Sequence, residues 1–277
     1  MNNKYTAFLA WQNTHSAPFH FPMDINQWDK SMYEDVDSDG RTLFEEIHTE
    51  VSGNAMIQYG YTAFGFGDNG EISNEQHHAV IRDLWFDPAF PNEGQSLLKK
   101  AMGYFRKAEK LHAFFHYFGM STCARHGKLH ESQQHIHDLL LRNGFVIEHE
   151  NVYYAKELRG KDVADKRICI TWKDKNAGDC REFAASMDGQ SFGWGQVHFL
   201  PQPQIAYLRW IYIDKKQQHQ GLGTATMDTL CTHLHQMGIT RFDTDTALNN
   251  TAAQGYYEKT GFTNEGITRS YYKMKND

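Results

Sequence analysis

Cysteine is scarce in this sequence. Its four copies, Cys123, Cys169, Cys180 and Cys231, form no CxxC pair. A disulfide-stapled scaffold needs several paired cysteines, and a thiolate zinc site needs closely spaced ones. The sequence therefore argues against both classes, and we expect reduced thiols.

Long apolar runs are missing as well. No window approaches the roughly 18 uninterrupted apolar residues of a membrane-spanning helix, and the first residues lack the basic-then-apolar order of a secretory signal. With 40% apolar and 22% charged residues, the composition is that of an ordinary globular protein. We therefore expect a cytoplasmic protein without a membrane partner.

An excess of positive charge is also absent. The formal net charge is −6, whereas a general nucleic-acid binder neutralises phosphates with a basic surface. We expect no nucleic-acid partner. The 16 histidines do not change this picture, because His130 and His135 lie five residues apart and the HExxH zinc motif needs a spacing of four. No metal site is expected.

What the sequence does contain is a glycine turn between a strand and a helix. The run Ile205–Asp214 is rich in β-branched and aromatic residues, which is typical of a buried strand. After Gly221 and Gly223, apolar residues recur at helical spacing until Gly238 supplies a stop. Such a turn lets a pyrophosphate approach several backbone N–H groups. A turn needed only for packing is the alternative, since neither a Walker lysine nor a full GxGxxG pattern is present.

The downstream sequence narrows this choice. Residues 241–247 are predicted to form a strand, and residues 249–262 a helix that ends at Gly261. Here the chain resembles the GNAT superfamily of acyl-CoA-dependent N-acyltransferases. The residues that match its two motifs are Gln218, Gly221, Gly223, Asn250, Ala253, Tyr257, Glu258, Lys259, Gly261 and Phe262. The two motifs in this order, with a strand between them, make the resemblance specific.

The resemblance implies acetyl-CoA as the cosubstrate and assigns roles to individual residues. The stretch whose backbone amides would hold the CoA pyrophosphate is Gln218, His219, Gln220, Gly221, Leu222, Gly223 and Thr224. The preceding strand would place Ile211, Tyr212 and Ile213 beside the thioester. Asn250 would contact the pantetheine arm, and Tyr257 matches the residue that protonates the leaving thiolate.

The general base is where this chain departs from its relatives. Many of them carry a glutamate on the strand before the glycine turn, but Tyr207–Ile213 has none. The available carboxylates are Asp243 and Asp245 on the following strand, and alternation places both on one face. We take Asp245 as the candidate base; a solvated strand face is the alternative.

The first half of the chain resembles the second. Residues 139–158 parallel residues 255–274, and the segments Asp87–Gly94 and Asp214–Gly221 have the same spacing. Hairpin turns are predicted ahead of both glycine motifs, at Asp68-Asn69-Gly70 and Asp188-Gly189. The same order of features in both halves predicts a tandem duplication.

The first copy lacks the residues that would bind the cosubstrate. Where the second copy has two glutamines and its second glycine, the first has Pro91, Glu93 and Ser96. Proline removes an amide donor, and glutamate adds negative charge beside a phosphate site. Leu140 and Leu141 replace the Tyr-Glu pair. We infer that the first copy keeps the fold and has lost the cosubstrate site.

The sequence thus predicts an α+β protein with α/β/α layers and two tandem GNAT-like domains. Each would be a mixed, mostly antiparallel sheet with helices on both faces: residues 1–158, degenerate and shaping the acceptor site, and residues 165–277, binding acetyl-CoA. The predicted reaction is transfer of an acetyl group to the amine of an unidentified small-molecule or peptide acceptor by direct attack on the thioester. A non-catalytic acyl-CoA sensor, an interaction scaffold and a site for another nucleotide are the alternatives.

Two further expectations concern the acceptor and assembly. Trp194, Trp210 and Tyr212 would line the acceptor site, unless these strand aromatics belong to the core. A monomer or a homodimer is expected.

Overall fold

The computed structural model describes residues 9–10, 17–22, 24–33, 41–66, 72–119, 126–160, 162–173, 180–200 and 204–275. The chain divides into two compact units. Unit 1 comprises Met1–Glu150 together with Thr268–Asp277, and unit 2 comprises Asn151–Ile267. No helix in the described ranges has the length and apolar character needed to cross a membrane. The turn predicted at residues 68–70 lies outside those ranges, as does Cys123.

Unit 1 is built on a sheet with one parallel pair. Its elements are α1 (Ile25–Tyr33), β1 (Phe44–Ser52), β2 (Ala55–Thr62), β3 (Gly65–Phe66), β4 (Ile72–Ser73), β5 (Ala79–Phe86), α2 (Pro91–Tyr104), β6 (Lys110–Ala113), β7 (Leu129–His130), α3 (Gln134–Arg142), the start of β8 (Val146–Glu157) and the end of β14 (Thr263–Met274). The strand order is β1-β2-β5-β6-β14. Strands β5 and β6 run parallel, and the other neighbours are antiparallel.

Unit 2 repeats this plan. Its elements are the rest of β8, β9 (Ile168–Trp172), β10 (Cys180–Met187), β11 (Gln190–Leu200), β12 (Ile205–Ile213), α4 (Leu222–Gln236), β13 (Arg241–Ala247), α5 (Thr251–Lys259) and the start of β14. The strand order is β8-β13-β12-β11-β10-β9, and only β12 and β13 among these pairs run parallel. The predicted fold class, a mixed and mostly antiparallel sheet with helices, is confirmed.

The unit boundaries differ from those expected at residues 158 and 165. The division falls inside β8, whose residues from Asn151 onward belong to unit 2. Strand β14 does the reverse: it begins in unit 2, and its residues Tyr271–Met274 pair with β6 of unit 1. Composition alone carries no information about which sheet a strand joins. The last ten residues of the chain therefore belong to unit 1.

Each sheet packs helices according to the alternation of its side chains. In unit 2, Leu230 of α4 and Tyr257 of α5 join Leu208 of β12 in one core. In unit 1, the core on one face contains residues of α2 and α3. On the opposite face of that sheet, α1 contributes the fully buried Trp28 to a cluster with Met56 of β2 and Trp85 of β5.

Both units carry a β-bulge at the same point. Arg82 is the extra residue of β5 opposite the step between Gln58 and Tyr59 of β2. Arg209 is the extra residue of β12 opposite the step between Gln196 and Val197. A shared irregularity at equivalent positions is what a tandem duplication predicts, because bulges are retained as features of a fold.

The predicted turn at Asp188-Gly189 is present between β10 and β11. Both residues have positive φ angles, 52° and 77°, as a two-residue type I′ hairpin requires. This turn sets the register that pairs Met187 with Gln190 and Ser186 with Ser191, and a bulge then shifts the pairing by one residue.

A glycine in β11 provides a test of the packing in unit 2. A Cβ atom on Gly195 would lie 2.6 Å from the Trp210 carbonyl oxygen and 2.7 Å from the Phe183 ring. We expect Gly195→Ala to lower the free energy of unfolding by about 1–3 kcal/mol, because the core must shift to admit the methyl group. Gly103 of α2 is the matched control, since a Cβ there meets nothing within 4 Å. Gly103→Ala should be neutral or stabilise by up to about 1 kcal/mol; equal losses in urea unfolding would contradict this account.

Candidate functional site

The central feature of unit 2 is the point where its two parallel strands stop pairing. Strands β12 and β13 pair only as far as Leu208 and Thr244. Beyond that point, within the described residues, β12 pairs with β11 alone and β13 with β8 alone. The Thr244 hydroxyl donates to the Leu208 carbonyl over 2.9 Å at the last paired position. The bulge at Arg209 follows at once, so a wedge opens with one backbone edge of β12 facing it.

A cavity of about 800 Å³ occupies this wedge. Most of the residues predicted for the site line it, and these are Ile211, Ile213, Gln218, His219, Gly221, Gly223, Thr224, Asp245, Asn250 and Tyr257. Motifs that lie far apart in sequence are thus brought together around one space. Every lining residue belongs to unit 2.

Three residues predicted for the site do not line the cavity. The side chain of Leu222 is buried in the core of unit 2. The Gln220 side-chain amide donates to the Lys216 carbonyl over 2.9 Å. The ring of Tyr212 lies on the other face of the strand against Trp194, with centroids 4.5 Å apart. For these three, only backbone groups remain available to a ligand in the cavity.

Gly221 and Gly223 of the turn are each required for a different structural reason. Gly221 precedes the first residue of α4 with φ 80°, a left-handed conformation that glycine adopts without strain. A Cβ at Gly223 would lie 3.4 Å from the Tyr256 ring, so this glycine lets α5 approach α4. The Tyr256 hydroxyl donates to the Gly223 carbonyl over 2.8 Å and fixes that approach.

The N-terminus of α4 presents free backbone donors to the cavity. The first intrahelical bond runs from the Ala225 N–H to the Gly221 carbonyl, at 3.0 Å, so the N–H groups of Leu222, Gly223 and Thr224 have no acceptor within the helix. No side chain caps this end, and its first turn contains no acidic residue. The Gln218 side chain donates to the Ile213 carbonyl over 2.8 Å and braces the turn against β12. The helix end is therefore a positive, rigid wall suited to an anion.

Tyr257 lies where the strands diverge. Its side chain is 6% exposed, and its ring packs on those of Tyr154, Tyr256 and Phe262. Burial raises the pKa of Tyr257, a hydrogen bond with Thr244 opposes that rise, and the nearby charge of Asp245 adds to it. The phenol is therefore protonated at neutral pH. Tyr256 is not equivalent, since its hydroxyl is already bound to the Gly223 carbonyl.

Asn250 shapes the far wall of the cavity by starting α5. Its side-chain oxygen accepts from the Ala253 N–H over 3.2 Å, the usual bond of an N-cap asparagine. Its side-chain nitrogen donates to the Thr246 hydroxyl over 3.1 Å. These two bonds hold the start of α5 beside the end of β13.

The two aspartates of β13 have different surroundings. Asp243 is fully buried and accepts from the Tyr153 hydroxyl at 2.8 Å and from Arg241 at 2.7 Å. Burial raises the pKa of Asp243, and Arg241 opposes this rise. Asp245 lines the cavity, and its two oxygens accept from the Tyr207 hydroxyl and the Asn151 amide. Of the two carboxylates, Asp245 is therefore the one within reach of a ligand.

Several residues that line the cavity were not among those predicted from the sequence for the cosubstrate site. They include Arg209, Thr246, Ala252, Gly255 and Lys259. Three of them could have been found from the sequence. Ala252, Gly255 and Lys259 are spaced by three and four residues, which places them on one face of α5. The small side chains leave space for the cavity. Arg209 gives no such signal, because its position depends on the bulge.

The equivalent turn of unit 1 is closed. Pro91 begins α2 and lacks an N–H, and the Glu93 carboxylate accepts from the Asn54 backbone N–H over 2.5 Å. The Phe86 carbonyl accepts from a His135 ring N–H over 3.1 Å, as the equivalent Ile213 carbonyl of β12 accepts from Gln218. The Phe86 ring lies against Gly94, within 2.4 Å of a Cβ position there. Groups that face a cavity in unit 2 are bonded or covered here.

The histidines of unit 1 make structural hydrogen bonds. His130 accepts from the Ser132 N–H, and His137 bonds the Tyr271 hydroxyl at 2.8 Å. Within the described ranges, no cluster of three histidine, cysteine or acidic side chains is arranged to hold a metal ion.

The family whose model matches this sequence is the acetyltransferase (GNAT) family, over residues 139–262. No curated protein matches the chain. The match includes β12, the glycine turn, α4, β13 and α5, which are the elements that form the cavity.

Solved structures share the fold over the whole chain. A tandem GNAT protein of the clavulanic acid biosynthesis pathway is 12% identical with a TM-score of 0.61, and 100% of this chain and 97% of that chain are covered. A GNAT-family acetyltransferase from Colwellia psychrerythraea is 12% identical with a TM-score of 0.53, over 99% and 97% of the two chains. A GCN5-related glucosamine N-acetyltransferase region of a fungal multi-domain GH3 β-N-acetylglucosaminidase is 10% identical with a TM-score of 0.65, over 98% of this chain and 37% of that one.

Proposed function

We propose that unit 2 is an acetyl-CoA-dependent N-acetyltransferase, because residues 139–262 match the model of the acetyltransferase (GNAT) family. The observation that carries the proposal is the wedge between β12 and β13, which opens directly beside the uncapped N-terminus of α4. One end of this space offers backbone donors for an anion. The other offers a protonated tyrosine and an ordered carboxylate.

The cavity suits the parts of acetyl-CoA in order along its length. The free N–H groups at the start of α4 would bind the pyrophosphate, because the helix end carries partial positive charge and no acidic side chain opposes it. The backbone edge of Ile211–Ile213 would pair with the amides of the pantetheine arm, as a strand pairs with its neighbour. Asn250 would fix the opposite wall by capping α5.

The proposed chemistry is direct acyl transfer. The acceptor nitrogen attacks the thioester carbonyl, a C–N bond forms, and the C–S bond breaks to release the CoA thiolate. Tyr257 would give its proton to that thiolate, since burial keeps the phenol protonated. Asp245 would take a proton from the attacking amine, held in position by Tyr207 and Asn151. Both groups lie at the divergence of the strands.

Unit 1 would not bind acetyl-CoA. Its helix start has a proline in place of a donor and a glutamate in the first turn. The Phe86 ring packs against Gly94 at that helix start and would fill the space that acetyl-CoA needs beside the turn. We propose that unit 1 is a degenerate copy that has kept the fold.

Titration with acetyl-CoA tests the cosubstrate site directly. We expect one binding event per chain in calorimetry. Thr224→Glu should weaken it at least about 10-fold, because a carboxylate in the first turn of α4 repels the pyrophosphate while leaving the helix stable. Asn92→Glu, which places the same charge in the first turn of α2, is the matched control and should bind as the natural protein does. Two binding events, or a loss in the Asn92 variant, would contradict the assignment of a single site; no binding would refute the proposed function.

The role of Tyr257 is tested by comparing two neighbouring tyrosines. Tyr257→Phe should lower kcat about 100-fold or more, as expected when a general acid is removed, while acetyl-CoA binds with unchanged affinity. Tyr256→Phe removes the bond to the Gly223 carbonyl and should instead lower the free energy of unfolding by about 1 kcal/mol, with a smaller effect on kcat. A Tyr257 variant with normal turnover would refute its role as the acid.

Asp245→Asn tests the general base. The variant should lose about 100-fold or more in kcat/KM at neutral pH. This deficit should shrink as the pH rises, because more of the acceptor amine is then neutral without help from the enzyme. Thermal unfolding of the variant serves as the control for its fold. A deficit that stays constant across the pH range would assign Asp245 a structural role in its contacts with Tyr207 and Asn151.

A further inference from the structure

Three aromatic rings lie on the open face of the unit 2 sheet. Trp210 and Tyr212 are two residues apart on β12, and Trp194 of β11 is the cross-strand partner of Tyr212. The Trp194 and Tyr212 rings contact at 4.5 Å between centroids, inclined by 41°. Trp194 is 42% exposed and Trp210 37% exposed. We call these three side chains the aromatic platform.

In unit 1, a helix covers the equivalent face of the sheet. By strand register, Met56 and Trp85 of unit 1 occupy the positions of Trp194 and Tyr212. There α1 packs over them, and both residues join Trp28 in a buried cluster. Among the described elements of unit 2, the helices α4 and α5 pack on the opposite face. The platform is thus a surface that the duplicated fold covers in one copy and exposes in the other.

The size of the platform fits a small molecule. An aromatic side chain buries roughly 150–250 Å² when fully covered, so the exposed parts of these rings amount to roughly 200 Å². A stable protein interface needs about 1,000 Å² or more. The exposed rings have the dimensions of one planar ligand ring.

The platform is continuous with the proposed reaction site. Of the three platform residues, Trp210 lines the cavity that also contains Asp245 and Tyr257. The Tyr212 ring lies two residues further along β12, beside Trp194 and outside the cavity lining. A molecule that stacks on these rings can extend a short chain into the cavity where the thioester would lie. The platform therefore supplies a place for the body of the acceptor, separate from its reacting amine.

Charge selects among amine acceptors. The three platform side chains are uncharged, so the platform offers no counter-ion to a second cation on the acceptor. Asp245 offers a carboxylate to one ammonium group. A flat uncharged ring gains contact energy from stacking on aromatic neighbours.

We propose that the acceptor is an arylalkylamine: a primary amine on a short chain attached to an uncharged aromatic ring that stacks on the aromatic platform. The proposal rests on the acetyltransferase function of unit 2. It assigns the rings of Trp194, Trp210 and Tyr212 to acceptor recognition.

Equilibrium binding of tyramine to the CoA-bound protein tests the platform without requiring turnover. Tyramine should bind, and Trp194→Ala should weaken it about 3- to 10-fold, as for the loss of one aromatic contact. Trp194→Phe should restore most of the affinity, because it keeps a ring. Val163→Ala is the control, since Val163 is an 81% exposed apolar side chain away from the platform. Absence of tyramine binding, or equal affinity in the Trp194→Ala variant, overturns the proposal.

Turnover assays distinguish the arylalkylamine proposal from the acetyltransferase proposal on which it rests. Tyramine should be acetylated with a KM raised in Trp194→Ala and with acetyl-CoA binding unchanged. Acetylation of spermidine or glucosamine in preference to tyramine, with no effect of Trp194→Ala, would overturn the arylalkylamine proposal and leave the acetyltransferase intact. Failure to bind acetyl-CoA would overturn both. A dimer in solution that Trp194→Ala dissociates would assign the platform to a second copy of the chain and refute the proposal.

Discussion

The end of parallel pairing between β12 and β13 is the constraint on which the rest of unit 2 depends. A single hydrogen bond, from the Thr244 hydroxyl to the Leu208 carbonyl, closes the apex, and the bulge at Arg209 turns β12 away immediately afterwards. The divergence frees a backbone edge, admits Tyr257 to the apex and brings the start of α4 to the mouth of the cavity. Without this divergence of the strands, no cavity would lie beside the glycine turn at the start of α4.

The two copies of the fold act as controls for each other. Both have the bulge, at Arg82 and Arg209, so this strand geometry is common to the two units. What distinguishes them is side-chain chemistry at a few positions: the carboxylate of Glu93 at the helix start of unit 1, and the Phe86 ring that packs against Gly94 there. The two units therefore share the strand geometry and differ in the side chains that surround the start of the following helix.

The sequence predicts most of the fold because its signals are local. The β-branched and aromatic run of β12, the glycine turn at Gly221 and the helix before Gly261 each depend on nearby residues, and the structure has all three. Non-local features escape such reasoning. The close contact of Gly223 with the Tyr256 ring requires the packing of two helices, and the entry of Arg209 into the cavity requires a bulge set by a neighbouring strand. Family motifs supplied the candidate site because they summarise such packing.

The crossing of β8 and β14 between the units affects how the chain is made. Unit 1 contains Thr268–Asp277, and Tyr271 lies in its core with no exposed surface. As the ribosome synthesises the chain, residues 1–150 emerge early but lack that edge strand until the final residues follow. Pairing across so many residues is slow, because the loop must close before the contacts form. The core of unit 1 is therefore complete only after the residues of unit 2 that precede Thr268 have been synthesised.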